Sequence, residues 1–329
     1  MEDGLWERSR LCRTTYEGVS VFIAVGEGAS DSMAYSYDGI NWTGLGNALF
    51  DWALCVAWNG TMWVAGGSAS FGNTLAYSYD GINWIGLGNT VFDSYCEGIA
   101  WNGSMWVAVG EGVTNNIAYS YDGINWTGVG LIFEGSYPEG RGVAWHDGLW
   151  VAVGSGDDRI LYSSDGIVWT AATSAPFDGN GLAIAANDGL WLAGGSQGAP
   201  NTLAHSADGD IWTGLGYGTF SVWCNGIFSN GVRWVAAGKG DNTIAYSDDG
   251  LNWTGATGET FDWGGFCVVY GVGIWVAGGY DSATGNMLAY SVDGGETWVF
   301  SSALMLDVEV SGLAFAPMAH VYTGDVMFE

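Results

Sequence analysis

The sequence predicts an all-β chain folded as a seven-bladed β-propeller, and three observations lead to that prediction. A phrase built on serine, aspartate, glycine and tryptophan recurs seven times at intervals of 41 to 44 residues. Each interval divides into four short apolar runs separated by glycine-rich turns, which is the pattern of a propeller blade. The chain also begins and ends on incomplete units that complement each other.

The recurring phrase is most regular in its first three copies. AYSYDGINW stands unchanged at 34–42, 76–84 and 118–126. Four variants follow, and they are YSSDGIVW, HSADGDIW, YSDDGLNW and YSVDGGETW, beginning at Tyr162, His205, Tyr246 and Tyr290. A period near 42 residues indicates tandem copies of one supersecondary unit, so every local motif has to be interpreted within that repeat.

The unit GIAWNGSMWVAVGEG at 98–112 shows how one blade is derived from the sequence. Two alternating apolar runs meet at Asn102-Gly103, and Asn-Gly predicts a two-residue hairpin turn in which both residues adopt positive φ. A third run, NIAYS, follows a glycine-rich connection, and tryptophan is expected to open a fourth strand after the Tyr-Asp-Gly turn. The unit therefore predicts four antiparallel strands and no helix.

The two ends of the chain predict that the propeller closes. VFIAVGEG at 21–28 matches the second strand of a unit, and GLAFAP at 312–317 matches a first strand. We expect the C-terminal strand to complete the N-terminal blade, because this arrangement leaves no open sheet edge. The predicted organisation is an N-terminal segment at 1–20, a propeller at 21–317 and a C-terminal tail at 318–329.

The charge of the chain limits its partners. It carries 35 acidic and 7 basic residues, for a net charge of −28. Nucleic acids and anionic membranes are unsuitable partners, because binding phosphate requires lysine and arginine. No apolar run is long enough to span a bilayer, and MEDGLWERSRLC at the start lacks the apolar core of a signal peptide. The sequence predicts cytoplasmic synthesis, no membrane insertion, and a cation or a basic protein as a suitable partner.

The repeated phrase resembles the Asp-box, or BNR, motif of sialidase-type β-propellers. SVDGGETW at 291–298 is the copy most similar to the family form, and the other six are one residue shorter between Asp and Trp. The resemblance implies that the motif lies between the third and fourth strands, on the face away from the usual active site. Aspartate and serine side chains fix such turns by local hydrogen bonds. A structural role is therefore expected for Asp38, Asp80, Asp122, Asp165, Asp208, Asp249 and Asp293.

Sialidases also hold the substrate carboxylate with three arginines, and this chain does not meet that requirement. It has six arginines, of which Arg8, Arg10 and Arg13 precede the first blade. The Phe-Arg-Ile-Pro segment of those enzymes is missing, and they commonly have six blades. We therefore expect a non-sialidase member of the Asp-box propellers, with no catalytic residue and no required cofactor.

A second register lies in the connections from the fourth strand of one blade to the first strand of the next. Six of these seven connections carry a carboxylate directly after an apolar residue, at Asp51, Asp93, Glu134, Asp178, Asp262 and Asp307. Aromatic residues outside the repeat pattern occur in the same connections, at Trp52, Trp223, Trp263, Tyr95 and Tyr137. One interpretation is that the apolar residue packs between blades and the acid caps a turn. The other is a binding face, on which rings stack on sugars and carboxylates bind hydroxyls or calcium.

These observations favour a non-catalytic binding or scaffold propeller that recognises a glycan or a protein through an acidic, aromatic-rich loop face. Two alternatives remain open at this point. One is a structural or assembly protein that binds a basic protein partner, and the other is a glycoside hydrolase that uses two carboxylates of the face. The repeat is also similar to repeat proteins of large DNA viruses and environmental bacteria, which implies association with a virion or a cell surface.

Overall fold

The computed structural model describes residues 20–196, 200–301 and 308–317. These residues form β-strands joined by turns, with one short 3-10 turn at Ala69–Phe71. None of the described residues belongs to a helix long and apolar enough to cross a membrane. The expected all-β architecture is confirmed.

The strands form seven antiparallel sheets, which we number as blades in chain order. Blade 1 begins with β1 (Val21–Glu27), β2 (Met33–Ser36) and β3 (Thr43–Gly44). Blade 2 contains β4 (Ala53–Trp58), β5 (Trp63–Gly67), β6 (Leu75–Ser78) and β7 (Ile85–Gly86). Blade 3 contains β8 (Tyr95–Trp101), β9 (Trp106–Glu111), β10 (Ile117–Ser120) and β11 (Thr127–Gly130). Blade 4 contains β12 (Glu139–His146), β13 (Leu149–Ser155), β14 (Ile160–Ser163) and β15 (Thr170–Ala171).

The remaining blades repeat the same order of four strands. Blade 5 contains β16 (Gly181–Asn187), β17 (Leu190–Gly195), β18 (Leu203–Ser206) and β19 (Thr213–Gly214). Blade 6 contains β20 (Trp223–Ser229), β21 (Trp234–Lys239), β22 (Ile244–Ser247) and β23 (Thr254–Gly255). A two-residue strand, β24 (Thr257–Gly258), then pairs in parallel with the outer strand of blade 7. Blade 7 contains β25 (Gly264–Gly271), β26 (Ile274–Tyr280), β27 (Leu288–Ser291) and β28 (Thr297–Phe300).

The last strand, β29 (Glu309–Ala316), closes the propeller by joining blade 1. It pairs antiparallel with β1, from Val21 opposite Ala316 to Glu27 opposite Glu309. The predicted closure by the C-terminal strand is therefore confirmed. The segments 1–19 and 318–329 lie outside the described residues, so the domain boundaries stay predictions.

The hydrophobic core lies between neighbouring blades rather than in one central mass. Seven clusters fill the seven spaces between adjacent sheets. Phe50, in the connection before blade 2, is fully buried, and a Cβ added to Gly67 would lie 2.8 Å from its ring. The phenylalanines of five connections pack in this way against a glycine of the second strand, and they are Phe50, Phe133, Phe177, Phe220 and Phe261. This agrees with the interpretation that the apolar residue of these connections packs between blades.

Two local predictions need correction. Six of the seven motif tryptophans precede the fourth strand instead of opening it, and only Trp298 lies inside its strand, β28. In all seven copies the indole is bonded to the preceding turn, as where the Trp126 Nε1 donates to the Gly123 carbonyl at 3.1 Å. Only the last copy, which is one residue longer between Asp and Trp, has its tryptophan in the strand ladder. Most fourth strands are consequently only two residues long.

The Asn102-Gly103 hairpin also differs from the expected two-residue turn. Trp101 pairs with Trp106, so four residues form the loop, and only Gly103 has positive φ, at 96°. The Asn102 Oδ1 accepts hydrogen bonds from the backbone of Ser104 and Met105 at 2.9 and 2.7 Å. These bonds fix the turn through the side chain, so Asn102 does not adopt the left-handed conformation. The expected type does occur at Asp147-Gly148, where φ is 46° and 84°.

Candidate functional site

The innermost strand of every blade bulges at one residue, and that residue lines a central channel. In chain order, the unpaired residues at the seven register shifts are Leu54, Glu97, Arg141, Leu182, Asn225, Phe266 and Ser311. Together with Trp52 and Glu309 they surround a cavity of about 310 Å³. Because a bulge re-aims a side chain, the fold delivers one side chain per blade to the same space.

Charged groups occupy one part of the channel wall. The Arg141 Nη1 lies 3.1 Å from the Glu97 Oε2, and the Arg141 Nη2 donates to the Glu139 carboxylate. Burial raises the pKa of Glu97 to about 7; Arg141 opposes the shift, and the charges of Glu139 and Glu111 add to it. Burial alone would lower the pKa of Arg141, but Glu97 and Glu139 raise it, so the guanidinium stays charged.

A second group at the channel comes from blades 1 and 2. The Trp52 Nε1 donates to the Ser311 Oγ at 3.1 Å, and that hydroxyl donates to the Glu309 Oε1 at 2.9 Å. Burial, with a smaller contribution from Glu27, raises the pKa of Glu309. The Tyr95 ring meets Trp52 edge to face, with centroids 6.3 Å apart. Trp52 and Tyr95, both predicted as binding residues, therefore lie together beside the channel.

The other predicted tryptophans form a cluster beside blades 6 and 7. The rings of Trp223 and Trp263 lie 5.4 Å apart, and the Lys239 Nζ sits 3.8 Å from the Trp263 centroid and 4.7 Å from that of Trp223. Trp263 is 42% exposed and also contacts Phe266 of the channel wall, at 5.7 Å between centroids. The cluster thus connects the exposed surface to the channel.

We call the surface that carries these aromatic residues and the fourth-to-first connections the loop face. Three of the predicted acids there are engaged with the second-to-third loop of the following blade. Asp51 accepts from the Ser68 hydroxyl, Asp93 from the Val113 backbone at 2.7 Å, and Asp262 from both the backbone and the hydroxyl of Ser282 at 2.6 Å. The hydrogen bonds lower the pKa of Asp51 against the effect of burial, and Ser282 lowers that of Asp262. These acids cap loops in addition to facing solvent.

Three further predicted residues of the loop face, Glu134, Tyr137 and Asp178, are exposed. Tyr137 is 91% exposed, with φ of 55°, and its carbonyl accepts from the Ser155 hydroxyl at 2.6 Å. Asp178 is exposed and its carbonyl accepts from Arg159 at 3.1 Å. Glu134 is exposed, and its carbonyl accepts from the Asp157 backbone at 2.7 Å. Asp307 lies outside the described residues. The binding role of all these residues stays a prediction.

The seven aspartates of the repeated phrase lie on the opposite end of the blades, which we call the turn face. In the third copy, the Ser120 Oγ donates to the Asp122 Oδ1 at 3.0 Å, and the same oxygen accepts from the backbone of Ile124 and Asn125 at 2.9 and 2.7 Å. The corresponding serine-to-aspartate bond occurs in all seven copies. Each carboxylate is thus used within its own turn.

The ionisation of these aspartates reflects the turn. Burial opposes ionisation of Asp38, but hydrogen bonds from Asn41, Ile40 and Ser36 outweigh it and lower the pKa to about 2. Asp80 behaves in the same way, also reaching about 2. The pKa is lowered in all seven copies. A permanently ionised carboxylate that accepts several hydrogen bonds fixes the turn rather than carrying protons.

Sequence reasoning did not find the channel residues. Four of them, Glu97, Arg141, Asn225 and Glu309, lie inside or at the start of innermost strands, whereas the predicted binding residues were assigned to the connections between blades. A usable signal existed, because this position differs between units whose flanking residues repeat. Lys239 was also missed, although it is the only lysine of the chain.

Calcium was predicted as compatible with the acidic loop face, and the described residues provide no preformed site for it. Within 20–196, 200–301 and 308–317, no three histidine, cysteine, aspartate or glutamate side chains lie close enough together to hold a metal ion. Calcium binding therefore stays a prediction, to be tested on the protein itself.

The similarity of this chain to known proteins lies in its fold. No protein-family model matches the sequence, and no curated protein sequence matches it. The crystal structure of the WD40 β-propeller domain of Doa1 is similar over 91% of this chain and 90% of its own, with a TM-score of 0.58 and 11% identity. A computationally designed protein, Ika8, is similar over 90% and 89%, with a TM-score of 0.52 and 13% identity. At such identities the likeness shows a β-propeller.

Proposed function

We propose that this propeller is a non-catalytic binding module that recognises a glycan or a protein at its loop face. The propeller fold commonly serves binding and scaffolding, because variable connections sit on a rigid frame. The observation that carries the proposal is the exposed indole of Trp263, which is 42% exposed and contacts both Trp223 and the channel residue Phe266. Such a large aromatic surface at a channel opening is typical of a ligand contact.

A glycan fits this surface by its chemistry. The face of an indole stacks on the C–H surface of a sugar ring, and exposed carboxylates accept hydrogen bonds from hydroxyls. Trp263 offers the ring, and Glu134 and Asp178 are exposed carboxylates on the same face. We therefore take a glycan as the first ligand to test.

The experiment is a glycan-array screen of the protein and two variants, in calcium and again in EDTA. Trp263→Ala removes the exposed indole of the loop face. Trp145→Ala is the matched control, because Trp145 is 37% exposed but lies near the far end of the innermost strand β12. Loss of a central aromatic contact is expected to weaken binding about 30-fold, whereas the control keeps wild-type binding.

The outcomes separate the parts of the proposal. Hits that survive Trp145→Ala and disappear in Trp263→Ala support a lectin, and their loss in EDTA would assign calcium to the face. Hits unaffected by Trp263→Ala contradict the assignment to this surface. An array blank in both conditions contradicts the glycan as ligand.

A basic protein is the second candidate ligand, and the charge of the chain favours it. The net charge of −28 would attract a basic surface over a distance limited by salt. This candidate predicts that association falls steeply as ionic strength rises, whereas stacking on a sugar changes little. A pull-down at two salt concentrations, followed by Trp263→Ala, distinguishes the two ligands.

We further propose that the repeated turns are Asp-box turns in the structural sense. Support comes from the serine-to-aspartate hydrogen bond in all seven copies and from the indole that donates back to the turn glycine. The turns connect third and fourth strands, where the resemblance places the motif. This assignment concerns architecture and carries no activity with it.

A further inference from the structure

The central channel carries more negative than positive charge. Three carboxylates, those of Glu97, Glu139 and Glu309, lie in or against its wall, and Arg141 is the guanidinium that faces them. Arg141 pairs with Glu97 and Glu139, while Glu309 accepts from the Ser311 hydroxyl, which in turn accepts from the Trp52 indole. When these carboxylates are ionised, Glu309 has no cationic partner among the residues that the structure describes.

The rest of the wall is apolar and contains an unused acceptor. Leu54, Leu182 and Phe266 face the same cavity from blades 2, 5 and 7. Asn225 lines it from blade 6, and its buried Oδ1 has no hydrogen-bond donor within the described part of the chain. Because the terminal torsion of asparagine is broad, this oxygen can turn toward a donor inside the channel. A buried acceptor without a hydrogen-bond partner costs free energy of folding unless a bound ligand donates a hydrogen bond to it.

We propose that the channel binds an alkylammonium group, for which Glu97, Glu309 and Asn225 offer acceptors and Leu54, Leu182 and Phe266 offer apolar wall. An ammonium brings the charge that the wall lacks and three hydrogen-bond donors. The cavity of about 310 Å³ is at the small end of ligand pockets, roughly 300–1,000 Å³, which suits a side chain or a small amine. This inference names a partner chemistry for the proposed binding module and rests on that proposal.

A lysine side chain of a protein partner and a free polyamine share this chemistry. The first probe is n-butylammonium, which reproduces the lysine side chain, and n-butanol is the neutral control of the same length. We expect saturable binding of n-butylammonium at pH 8 by calorimetry or by chemical-shift changes, with n-butanol at least about tenfold weaker. A lysine-containing peptide and spermidine then show which source binds more tightly.

Two substitutions test the assigned residues, and the chain itself provides the precedent for one of them. Asn225→Leu places in blade 6 the residue that blades 2 and 5 carry at the same bulge, so the variant is expected to fold. It should weaken n-butylammonium about tenfold by removing the acceptor, and Glu97→Gln should do so by removing a charge. Trp145→Ala, near the far end of β12 and outside the channel wall, should leave n-butylammonium binding unchanged.

The pH dependence provides a further readout. Glu97 faces Arg141 and Glu139 on β12 and Glu111 on β9, so its charge is set by these groups together with burial. Binding of n-butylammonium should weaken as the pH falls from 8 to 5.5, because the carboxylate takes up a proton, and Glu97→Gln should flatten this profile.

Equal binding of n-butanol and n-butylammonium, no binding of either, or wild-type affinity in both Asn225→Leu and Glu97→Gln would overturn the inference. Each of these results leaves the glycan-array outcome untouched, because that outcome depends on Trp263. Conversely, a channel that binds n-butylammonium with no loop-face ligand would support the inference and contradict the proposed loop-face function.

Discussion

The turn face and the central channel are both sevenfold repeats, but they use the repeat in opposite ways. At the turn face, every blade carries the same serine, aspartate, glycine and tryptophan, and the same hydrogen bonds recur in each copy. At the channel, the bulged position is serine, leucine, glutamate, arginine, leucine, asparagine and phenylalanine around the ring. One set of positions is uniform and the other is diverse.

The physical reason for the difference is what each side chain contacts. Turn residues satisfy the backbone of their own turn, so a change leaves buried polar groups without partners. A bulged residue projects into open space, and the backbone around it is the same whether the side chain is Leu54 or Arg141. The fold therefore constrains the turn face strongly and the bulge side chain weakly, which leaves the channel free to serve recognition.

The largest effect expected at the turn face is the loss of a motif tryptophan. Trp298 is 1% exposed and packs with Phe261 and Trp275 between blades 6 and 7. Trp298→Ala should lower the free energy of unfolding by about 3–5 kcal/mol, because it removes a large buried ring and leaves a cavity. Chemical denaturation measures this change. The matched control is Trp263→Ala on the loop face, for which a much smaller loss is expected.

If Trp263→Ala lowers the free energy of unfolding as much as Trp298→Ala does, the two faces do not differ in this respect. The loop-face indole would then contribute as much to stability as an indole of the turn face. The exposure of Trp263, 42% against 1% for Trp298, argues for the opposite.

A charge in the channel should cost stability instead of adding to it. Burial raises the pKa of Glu97 from 4.5 to about 7. Between these values the unfolded chain has released the proton and the folded chain retains it, so the stability of the wild type falls as the pH rises. Glu97→Gln removes this dependence, and its stability relative to wild type should increase by about 3 kcal/mol from pH 4.5 to pH 8.

Denaturation at both pH values checks this second prediction, with Glu134→Gln on the exposed loop face as the control. Because the net charge is −28, both variants share the general pH dependence of an acidic chain, and only Glu97→Gln should show the additional change. A constant difference from wild type across the range would show that Arg141 fully compensates the carboxylate. Ionisation of Glu97 would then cost the folded protein no stability.

The sequence predicted the repeated part of the molecule well. The seven copies with their Asn-Gly and Asp-Gly turns define blades, strand order and closure, because each unit is encoded by local patterns that recur. The prediction for the Asn102-Gly103 turn was wrong. The Asn102 side chain accepts hydrogen bonds from the backbone of its own loop, so the expected two-residue turn does not form.

The candidate site was less predictable for the same reason. Glu97 and Arg141 are 44 residues apart in sequence and meet only because adjacent blades place their bulges side by side. The variability of this position is visible in the sequence, but no fixed flanking sequence marks it as a bulge: Glu97 lies between Cys96 and Gly98, and Arg141 between Gly140 and Gly142. The loop-face residues were predicted from their regular spacing in the sequence, and that spacing also placed them in the connections of the fold. Their position does not identify a ligand, because the exposure of Trp263 shows only that its surface is accessible.

The smallest effect, and the sharpest test of uniformity at the turn face, concerns a single aspartate. The Asp122 carboxylate accepts from Ser120, Ile124 and Asn125, and these bonds lower its pKa. Asp122→Ala should cost about 1 kcal/mol, a modest value because the group is exposed and screened, while Tyr121→Ala beside it should cost less than about 0.5 kcal/mol. The cost is fully present above the unfolded pKa of 3.8 and disappears as the pH falls through the lower folded pKa. Denaturation at pH 7 and at pH 2 measures both, and an equal cost at the two pH values would show that the ionised carboxylate does not hold the turn.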